Sequence, residues 1–427
     1  MRKRVAIPLA LGALLLAVGA GLLWPRHDAG PPPSAAARGL PAAEKVARGA
    51  YLARAGDCMA CHTVRGGAAY AGGRALQTPF GAVIAPNITS DVATGIGAWS
   101  ADDFWNALHN GRSRDGRLLY PAFPYTNYTF ITRDDADALY AYFRTVPAVS
   151  QPNAPHQLRF PYNQQIALAA WRALYFRPAP FKPEPAQSAQ WNRGAYLVQG
   201  LGHCSACHSA RNALGGSDDD LSGGLVPVLG WYAPALTSDA EAGLGSWPVD
   251  DIARLLHTGV SPRATVFGPM AEVVRESLQH LTDDDVRSMA LYLKSLPHAE
   301  SSEKPTKRAQ TPEALAFLQA GARLYEKHCA DCHGAAGEGA PPAYPPLAGN
   351  RSLTMGDAAN PIRIVLNGGF PPGTRGNPRP YGMPPFSHVL GDVEVAQLVS
   401  YLRSAWGNNA PPVSGGEVNR YRSVPLE

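Results

Sequence analysis

The most constraining feature of the chain is a five-residue motif that occurs three times. Two cysteines are separated by two residues, and a histidine follows the second cysteine directly. The copies read CMACH at 58–62, CSACH at 204–208 and CADCH at 329–333, and together they use all 6 cysteines of the chain. A single cysteine pair of this spacing also fits a zinc site or a redox-active thiol pair. Three copies, each with histidine in the same place, instead indicate covalent attachment of c-type haem.

Each residue of the motif has an expected role. The two thiols, one helical turn apart, would form thioethers with the vinyl groups of one haem, and the histidine would ligate the iron from the proximal side. The sequence therefore predicts three haems c per chain. The predicted attachment residues are Cys58, Cys61, Cys204, Cys207, Cys329 and Cys332, and the predicted proximal ligands are His62, His208 and His333.

The sequence around the motifs also repeats. A helical stretch precedes each motif, with RGAYL at 48–52 and 193–197 and a looser AGARLY at 320–325. A further helix with acidic residues in its first turn follows each motif, at 134–143, 283–296 and 392–406, with Thr132, Thr282 and Gly391 as expected N-caps. This order is typical of class I cytochromes c. We therefore predict an all-α chain of three tandem class I cytochrome c-type domains, each around one covalently bound haem.

The repeats set the predicted domain boundaries. Domain 1 covers residues 42–150, domain 2 covers 189–298 and domain 3 covers 313–408. The linker at 151–188 contains one apolar helix, at 163–176, for which we consider packing between domains, a partner subunit or the membrane surface, in that order. The linker at 299–312 is polar, and the tail at 409–427 is polar and expected to be extended.

The N-terminus carries an export signal. Residues 1–4 are basic, and residues 5–24 form an uncharged apolar run that would span about 30 Å as a helix. Residues 1–24 are predicted to be a signal peptide or a membrane anchor, because the small residues at 18–20 fit a cleavage site while the length fits an anchor. A Pro- and Ala-rich tether follows at 25–41. Since haem c is attached in the periplasm of bacteria, the expected location is the periplasmic face of the cytoplasmic membrane.

The iron of a c-type electron carrier most often takes methionine sulfur as its sixth ligand. Met270 and Met383 lie in loops flanked by glycine and proline, and they are the predicted sixth ligands of the second and third irons. Met355 is an alternative to Met383. Met289 lies within a terminal helix and is expected in the core, and Met59 lies inside its own motif on the proximal side.

The first repeat departs from this pattern. Its loop reads YPAFPY at 120–125, and Phe123 stands where a methionine is expected. Phenylalanine has no lone pair to donate, so the first iron is either five-coordinate or bound by His109, Tyr120, Tyr125 or water. His257 corresponds to His109 in a repeat that already has a methionine, which favours a structural role for both histidines.

From about residue 43 to residue 408 the chain resembles the triheme cytochrome c subunits of membrane-bound bacterial dehydrogenases. These subunits serve quinoprotein alcohol dehydrogenases, flavin-dependent gluconate, sorbitol and fructose dehydrogenases, and some periplasmic molybdenum hydroxylases that oxidise aldehydes or N-heterocycles. The segments that carry the resemblance are NIT at 87–89, WSADDF at 99–104, YPAFPY at 120–125, NRGAYL at 192–197, GLGHC at 200–204, GWYAP at 230–234, GPMAEVV at 268–274 and PPLAGN at 345–350.

The resemblance implies an electron-transfer subunit that is no catalyst by itself. It would take electrons from a quinoprotein, flavoprotein or molybdenum hydroxylase subunit, in some cases with a small iron–sulfur subunit, and pass them to ubiquinone or a terminal oxidase at the membrane. Relatives that serve alcohol or sugar dehydrogenases usually have methionine in the position of Phe123, so this residue favours a molybdenum hydroxylase as partner.

The sequence is also compatible with a function of a different class. The alternative is a haem enzyme, peroxidase-like or quinone-reacting, that uses an open coordination site at the first haem. The net charge of only +4, with no long run of lysine and arginine, gives no indication of a nucleic-acid partner.

Overall fold

The computed structural model describes residues 30–239, 243–297 and 311–424. The predicted N-terminal segment at 1–24 and most of the linker at 299–312 lie outside these ranges. The chain divides into two compact units. The first contains the residues up to Pro183 together with Gln199–His203, and the second contains Glu184–Val198 and the residues from Cys204 onward. Across the described ranges, we find no helix that is both long and apolar enough to cross a membrane.

The first unit combines helices with a small sheet. Strands β1, β2 and β3 are antiparallel in that order, so that the start of the predicted linker is hydrogen-bonded to domain 1. This sheet is an addition to the predicted all-α architecture. The elements are α1 (Ala35–Gly39), α2 (Ala42–Ala55), α3 (Cys58–His62), β1 (Ala75–Thr78), β2 (Gly81–Ile84), α4 (Ala101–Asn110), α5 (Tyr125–Tyr128), α6 (Arg133–Phe143), β3 (Gln157–Leu158) and α7 (Gln165–Tyr175).

The second unit contains the second and third motifs. Its only regular strands among the described residues form one short antiparallel hairpin, β4 with β5. The elements are α8 (Ala189–Gln199, whose last residue belongs to the first unit), α9 (Ser205–His208), β4 (Gly224–Val226), β5 (Trp231–Ala233), α10 (Val249–Thr258), α11 (Pro269–Glu276), a 3-10 turn (Leu278–His280), α12 (Asp283–Ser295), α13 (Pro312–His328), α14 (Ala330–His333), α15 (Arg351–Thr354), α16 (Ala359–Asn367), α17 (Asp392–Leu402) and α18 (Gly415–Arg422).

In each repeat the helix before the motif crosses the terminal helix at a glycine. A side chain at this point would overlap the backbone of the partner helix, so only glycine permits the close approach. This crossing explains why the sequence repeats a glycine at the same place in all three helices. A Cβ atom would lie 1.9 Å from the Ala138 oxygen at Gly49, 2.0 Å from the Ser288 oxygen at Gly194 and 2.1 Å from the Gln397 oxygen at Gly321.

The terminal helices begin at the predicted caps. The Thr132 hydroxyl accepts a hydrogen bond from the N–H of Asp135, and the Thr282 hydroxyl accepts one from the N–H of Asp285, both at 3.2 Å. At Gly391 the backbone N–H donates instead to the carboxylate three residues later, at 2.8 Å. These contacts confirm the three predicted N-cap positions.

Helix α7 of the predicted linker packs on the first unit. Leu168 and Ala169 form a buried cluster with Leu118, and the Arg172 guanidinium donates to the Asn110 carbonyl at 2.6 Å. The described contacts of this helix therefore lie within the unit that contains the first motif.

The prediction of an extended C-terminal tail was wrong. The Ser414 hydroxyl accepts from the N–H of Glu417 at 3.2 Å and caps α18. Val413 and Val418 are buried in the hydrophobic core of the third repeat. Arg422 donates to the Asp392 carboxylate at 2.7 Å, which holds α18 beside the start of α17. The tail folds because two valines gain buried contacts that its polar composition does not indicate.

The glycine crossing gives a stability prediction. We expect Gly321→Ala to lower the free energy of unfolding of the second unit by about 1–3 kcal/mol, because α13 and α17 must separate to admit the methyl group. Denaturant unfolding followed by far-ultraviolet circular dichroism would measure the change. Gly416→Ala is the control, because no atom lies within 4 Å of a Cβ there. Alanine should be neutral or stabilising at that helical position. Equal losses of unfolding free energy in both variants would contradict the idea that Gly321 is needed for the close approach of the two helices.

Candidate haem centres

Each of the three motif histidines makes the same kind of hydrogen bond. In each case Nδ1 lies close to a prolyl carbonyl oxygen, which can only accept, so Nδ1 carries the proton and donates. This bond fixes the ring and leaves the lone pair of Nε2 available to a metal, as is usual for metal-binding histidines. The Nδ1 to oxygen distances are 2.8 Å for His62 and Pro86, 2.6 Å for His208 and Pro234, and 3.0 Å for His333 and Pro345.

Burial keeps these imidazoles neutral. It lowers the pKa of His62 and His333 below the ordinary value, although the prolyl carbonyl opposes the shift. The pKa of His208 falls to about 4, chiefly through burial, with a smaller contribution from the Arg351 charge. A histidine ligates metal in its neutral form. All three rings are therefore in the protonation state and orientation that an axial ligand needs.

The cysteines do not behave as a redox pair. None of the six forms a disulfide. Burial is the main cause that raises the pKa of Cys58, Cys204 and Cys329 to about 12. Redox-active pairs of this spacing need a lowered pKa, because the thiolate is the reactive form. Within the part of the chain that is described, no three His, Cys, Asp or Glu side chains are grouped so that they could hold a metal ion. The donor set fits thioether attachment of a haem better than thiol redox chemistry.

At the third motif the structure brings Met383 to the same core as the attachment cysteine. Cys329 is buried with Leu353 and Leu366 in one hydrophobic cluster, and Met383 packs against it half-buried. The N–H of Met383 donates to the Gly369 oxygen at 2.8 Å, and the return bond measures 3.0 Å. The rival Met355 directly follows α15 and is 3% exposed. Ligation by Met383 stays a prediction that this placement supports.

At the second motif Met270 lies in the first turn of α11 and is half-buried. The preceding Gly268 has a φ of 57°, and a Cβ there would come within 2.6 Å of the Trp231 ring. Trp231 begins β5, the strand that leads to Pro234. The loop of Met270 thus packs against the segment that orients His208. Met289 is 1% exposed within α12, which confirms its predicted place in the core.

At the first motif Phe123 contacts Tyr128, whose pKa is influenced by Cys58 and Cys61. Its half-buried ring lies 5.3 Å from the Tyr128 ring, at 64°. The Tyr128 hydroxyl donates to the Gly56 oxygen at 3.0 Å. Burial raises the pKa of Tyr128 well above its ordinary value, and the neighbouring thiols Cys58 and Cys61 add to the shift. Phe123 therefore belongs to the surroundings of this motif, where it has no atom to offer an iron.

The histidine candidate for the first iron has a packing role. The His109 ring is stacked on the Trp105 ring with centroids 4.4 Å apart and planes at 12°. Its counterpart His257 has Nε2 at 3.2 Å from the Gln279 oxygen and Nδ1 at 3.2 Å from the Asp283 carboxylate. Both histidines thus contact their own domains, as the comparison of the two repeats indicated.

The two tyrosine candidates differ in their surroundings. Tyr125 is fully buried, with the Arg172 guanidinium carbon 4.9 Å from its ring centroid. Tyr120 is half-buried, and its ring meets that of His156 edge to face at 5.1 Å. Tyr125 thus packs against Arg172 in the last turn of α7, and Tyr120 is the more accessible of the two tyrosines.

Sequence reasoning missed several residues around these centres. One is His203, a half-buried residue of the first unit whose ring lies 5.8 Å from that of Tyr128 and which bonds to the backbone of Gly56. Burial lowers the pKa of His203. Its position just before the second motif was the available signal. The three prolyl acceptors were also missed, since they follow their histidines at unequal distances of 24, 26 and 12 residues.

Comparison with known proteins adds to this geometry. The cytochrome c family matches residues 46–147 and 318–406. The chain is 41% identical to the cytochrome c subunit of gluconate 2-dehydrogenase from Pantoea cypripedii, over 86% of either chain. It is 39% identical to the cytochrome c subunit of alcohol dehydrogenase (quinone) from Komagataeibacter europaeus, over 89% of this chain and 84% of that one. It is also 41% identical to one of the subunits of nicotinate dehydrogenase from Pseudomonas putida, over 95% of this chain and 34% of that protein.

Proposed function

Because the chain belongs to the family of cytochrome c subunits of dehydrogenases, we propose that it is a triheme electron-transfer subunit. It carries electrons from a catalytic dehydrogenase subunit to ubiquinone or a terminal oxidase. The observation that carries the proposal is the same Nδ1–H to prolyl carbonyl bond at all three motif histidines. Haem c supplies one-electron chemistry, while the chain supplies the proximal imidazole, the attachment thiols and the apolar surroundings.

The number of haems can be measured directly. The intact mass of the mature chain is expected to exceed that of the polypeptide by three haems, and the haem content by absorbance should agree. A mass increase of one or two haems would contradict the triheme assignment. The result does not depend on which dehydrogenase is the partner.

For the catalytic partner we propose a molybdenum hydroxylase that oxidises aldehydes or N-heterocycles. Phe123 supports this choice, as does the similarity of nearly the whole chain to part of a nicotinate dehydrogenase. A tagged chain purified from native membranes should bring the large subunit with it. Nicotinate or an aldehyde should then reduce the haems of the complex but not those of the isolated chain. Reduction by gluconate or ethanol alone would identify a different class of dehydrogenase.

We place this subunit at the periplasmic face of the cytoplasmic membrane, exported through residues 1–24. The basic start and apolar run of the sequence support this location. Protease treatment of spheroplasts should degrade the chain while a cytoplasmic marker survives. Protection of the chain in intact spheroplasts would contradict the location.

A second candidate function follows from Phe123. With an open sixth position, the first haem could react with peroxide or a quinone. We expect one high-spin ferric signal among three haems in the electron paramagnetic resonance spectrum of the oxidised protein. Peroxide turnover that cyanide inhibits would favour the enzyme, and its absence would leave electron transfer as the function.

The variant Phe123→Met tests the vacancy at the first iron. A thioether in this position is expected to convert the high-spin signal to a low-spin one and to suppress any peroxide turnover by at least about tenfold, since methionine is the usual sixth ligand of carriers. Phe130→Met is the control, because Phe130 is also half-buried and lies nearby in sequence. Three low-spin haems in the unmodified protein would show that the first iron already has a sixth ligand.

A further inference from the structure

Arg351 is a buried cation that connects the third repeat to the second within the second unit. It is the first residue of α15 and only 9% exposed. Its guanidinium donates to the carbonyl oxygen of Ala235. The guanidinium carbon also lies 5.6 Å from the centroid of the Trp247 ring. The charge is thus held at a defined place by partners from the second repeat.

This place is beside the proximal ligand of the second motif. Ala235 directly follows Pro234, whose carbonyl accepts the hydrogen bond from His208 Nδ1 at 2.6 Å. Burial lowers the pKa of Arg351 to about 10, although the nearby Asp239 opposes the shift, so the side chain is still cationic at neutral pH. The guanidinium is therefore a permanent positive charge near this imidazole.

The other two proximal histidines differ in this respect. Burial lowers the pKa values of His62 and His333 against the opposing effect of their prolyl carbonyls, whereas at His208 the charge of Arg351 adds to the effect of burial. Of the three motif histidines, His208 is therefore the one whose electrostatic potential is raised by Arg351.

Neighbouring contacts hold the arrangement in place. The N–H of Tyr232 donates to the Asn360 side chain at 2.9 Å, and the Asn360 amide donates back to the Tyr232 carbonyl at 2.8 Å. These paired bonds fix α16 to β5, three residues before Ala235. Because Arg351 and Ala235 are both buried, the charge of Arg351 is screened by water much less than a surface charge would be.

We propose that Arg351 is a positioning residue that raises the reduction potential of the second haem by holding a positive charge beside His208. Reduction lowers the charge of the iron by one, so a fixed cation in a medium of low dielectric constant favours the reduced state. The negative charge of the nearby Asp239 acts in the opposite direction. The inference rests on the proposed binding of haem at His208.

Redox titration of the three-haem protein tests the proposal. Arg351→Met keeps an unbranched side chain about as long as the aliphatic part of arginine and removes the charge. We expect the equilibrium constant for reduction of the second haem to fall about tenfold, which is about 59 mV for a one-electron couple, while the other two haems are unchanged. Arg351→Lys keeps the charge and should retain most of the potential.

The control is Arg363→Met. Arg363 is 1% exposed and lies 5.0 Å from the Trp231 ring in the same unit, yet its charge is not among those that act on His208. Its loss should leave all three potentials unchanged. A variant without Cys204 and Cys207 identifies the wave of the second haem, because that wave alone should be missing.

Several outcomes would overturn the proposal. An unchanged potential of the second haem in a folded Arg351→Met variant is one, and an equal shift in Arg351→Lys or in Arg363→Met is another. If Arg351→Met does not fold, Asp239→Asn gives the test, because removal of the negative charge should raise the same potential; an unchanged or lowered value contradicts the idea. Intact mass reports separately whether haem is attached at Cys204 and Cys207, so failure of the proposed function is recognised independently.

Discussion

A chain in which Cys204 and Cys207 are both replaced by alanine is expected to carry two haems and to have a less stable second unit. Both thioethers of the second motif are lost, so a haem there could be held only by its axial ligands. The neighbouring hairpin β4–β5 has few buried side chains of its own, with Trp231, Tyr232 and Ala233 all half-buried. Loss of a large aromatic group from such a site should cost about 3–5 kcal/mol of unfolding free energy.

Intact mass and thermal unfolding measure this result. The mass should decrease by one haem beyond the change in amino acids, and the second unit should unfold at a lower temperature than in the unmodified protein. The matched variant without Cys58 and Cys61 should destabilise the first unit instead, since the two motifs lie in different compact units. Three haems in the Cys204 and Cys207 variant would contradict the assignment of this motif.

Replacement of Met383 by leucine is expected to lower the reduction potential of the third haem on the order of 0.2 V, within the range of about 0.8 V that axial ligands span. Leucine keeps the volume of the side chain but lacks the sulfur. Methionine sulfur, as an iron ligand, favours the reduced state. Met383 is held against the core that contains Cys329, so leucine should be accommodated with little loss of stability.

The rival methionine provides the control for this experiment. Met355 is 3% exposed, and Met355→Leu should leave all three potentials within a few hundredths of a volt. Redox titration with absorbance detection, together with the near-infrared band of methionine-ligated ferric haem, would separate the two variants. A large fall in potential with Met355→Leu, and none with Met383→Leu, would reverse the assignment.

Much of the helical framework could be predicted from local sequence signals. Helix α2 contains the RGAYL stretch at 48–52 that was predicted to be helical, and the caps at Thr132 and Thr282 are in place. These features depend on residues within one or two turns of each other, so the pattern of apolar and capping residues is sufficient. The repeated glycine was visible in the sequence. The reason for it was not, because the backbone that each glycine meets belongs to a helix 76 to 94 residues further along the chain.

Features that depend on distant partners were not predicted. The terminal helix of the third repeat was expected to reach residue 406, yet α17 ends at Leu402. There the Asn408 amide donates to the Leu402 carbonyl at 2.7 Å, while Trp406 has a φ of 53°. A side chain beyond the helix thus supplies a hydrogen bond to a carbonyl group of the last turn. The periodic pattern of apolar residues does not predict such a contact. The contacts of Arg351 were hidden for the same reason, since Ala235 is 116 residues away along the chain.

The prolyl acceptors have a consequence for the speed of electron exchange. Pro86, Pro234 and Pro345 cannot donate a hydrogen bond from their own nitrogen, and their rings limit the backbone to one φ value. Each therefore presents its carbonyl to the imidazole from a stiff support. If these histidines ligate haem iron as proposed, their rings would need little movement on electron transfer, which would keep the reorganisation energy of the step small. In the proposed relay, the same bond that orients each histidine would then favour rapid electron transfer.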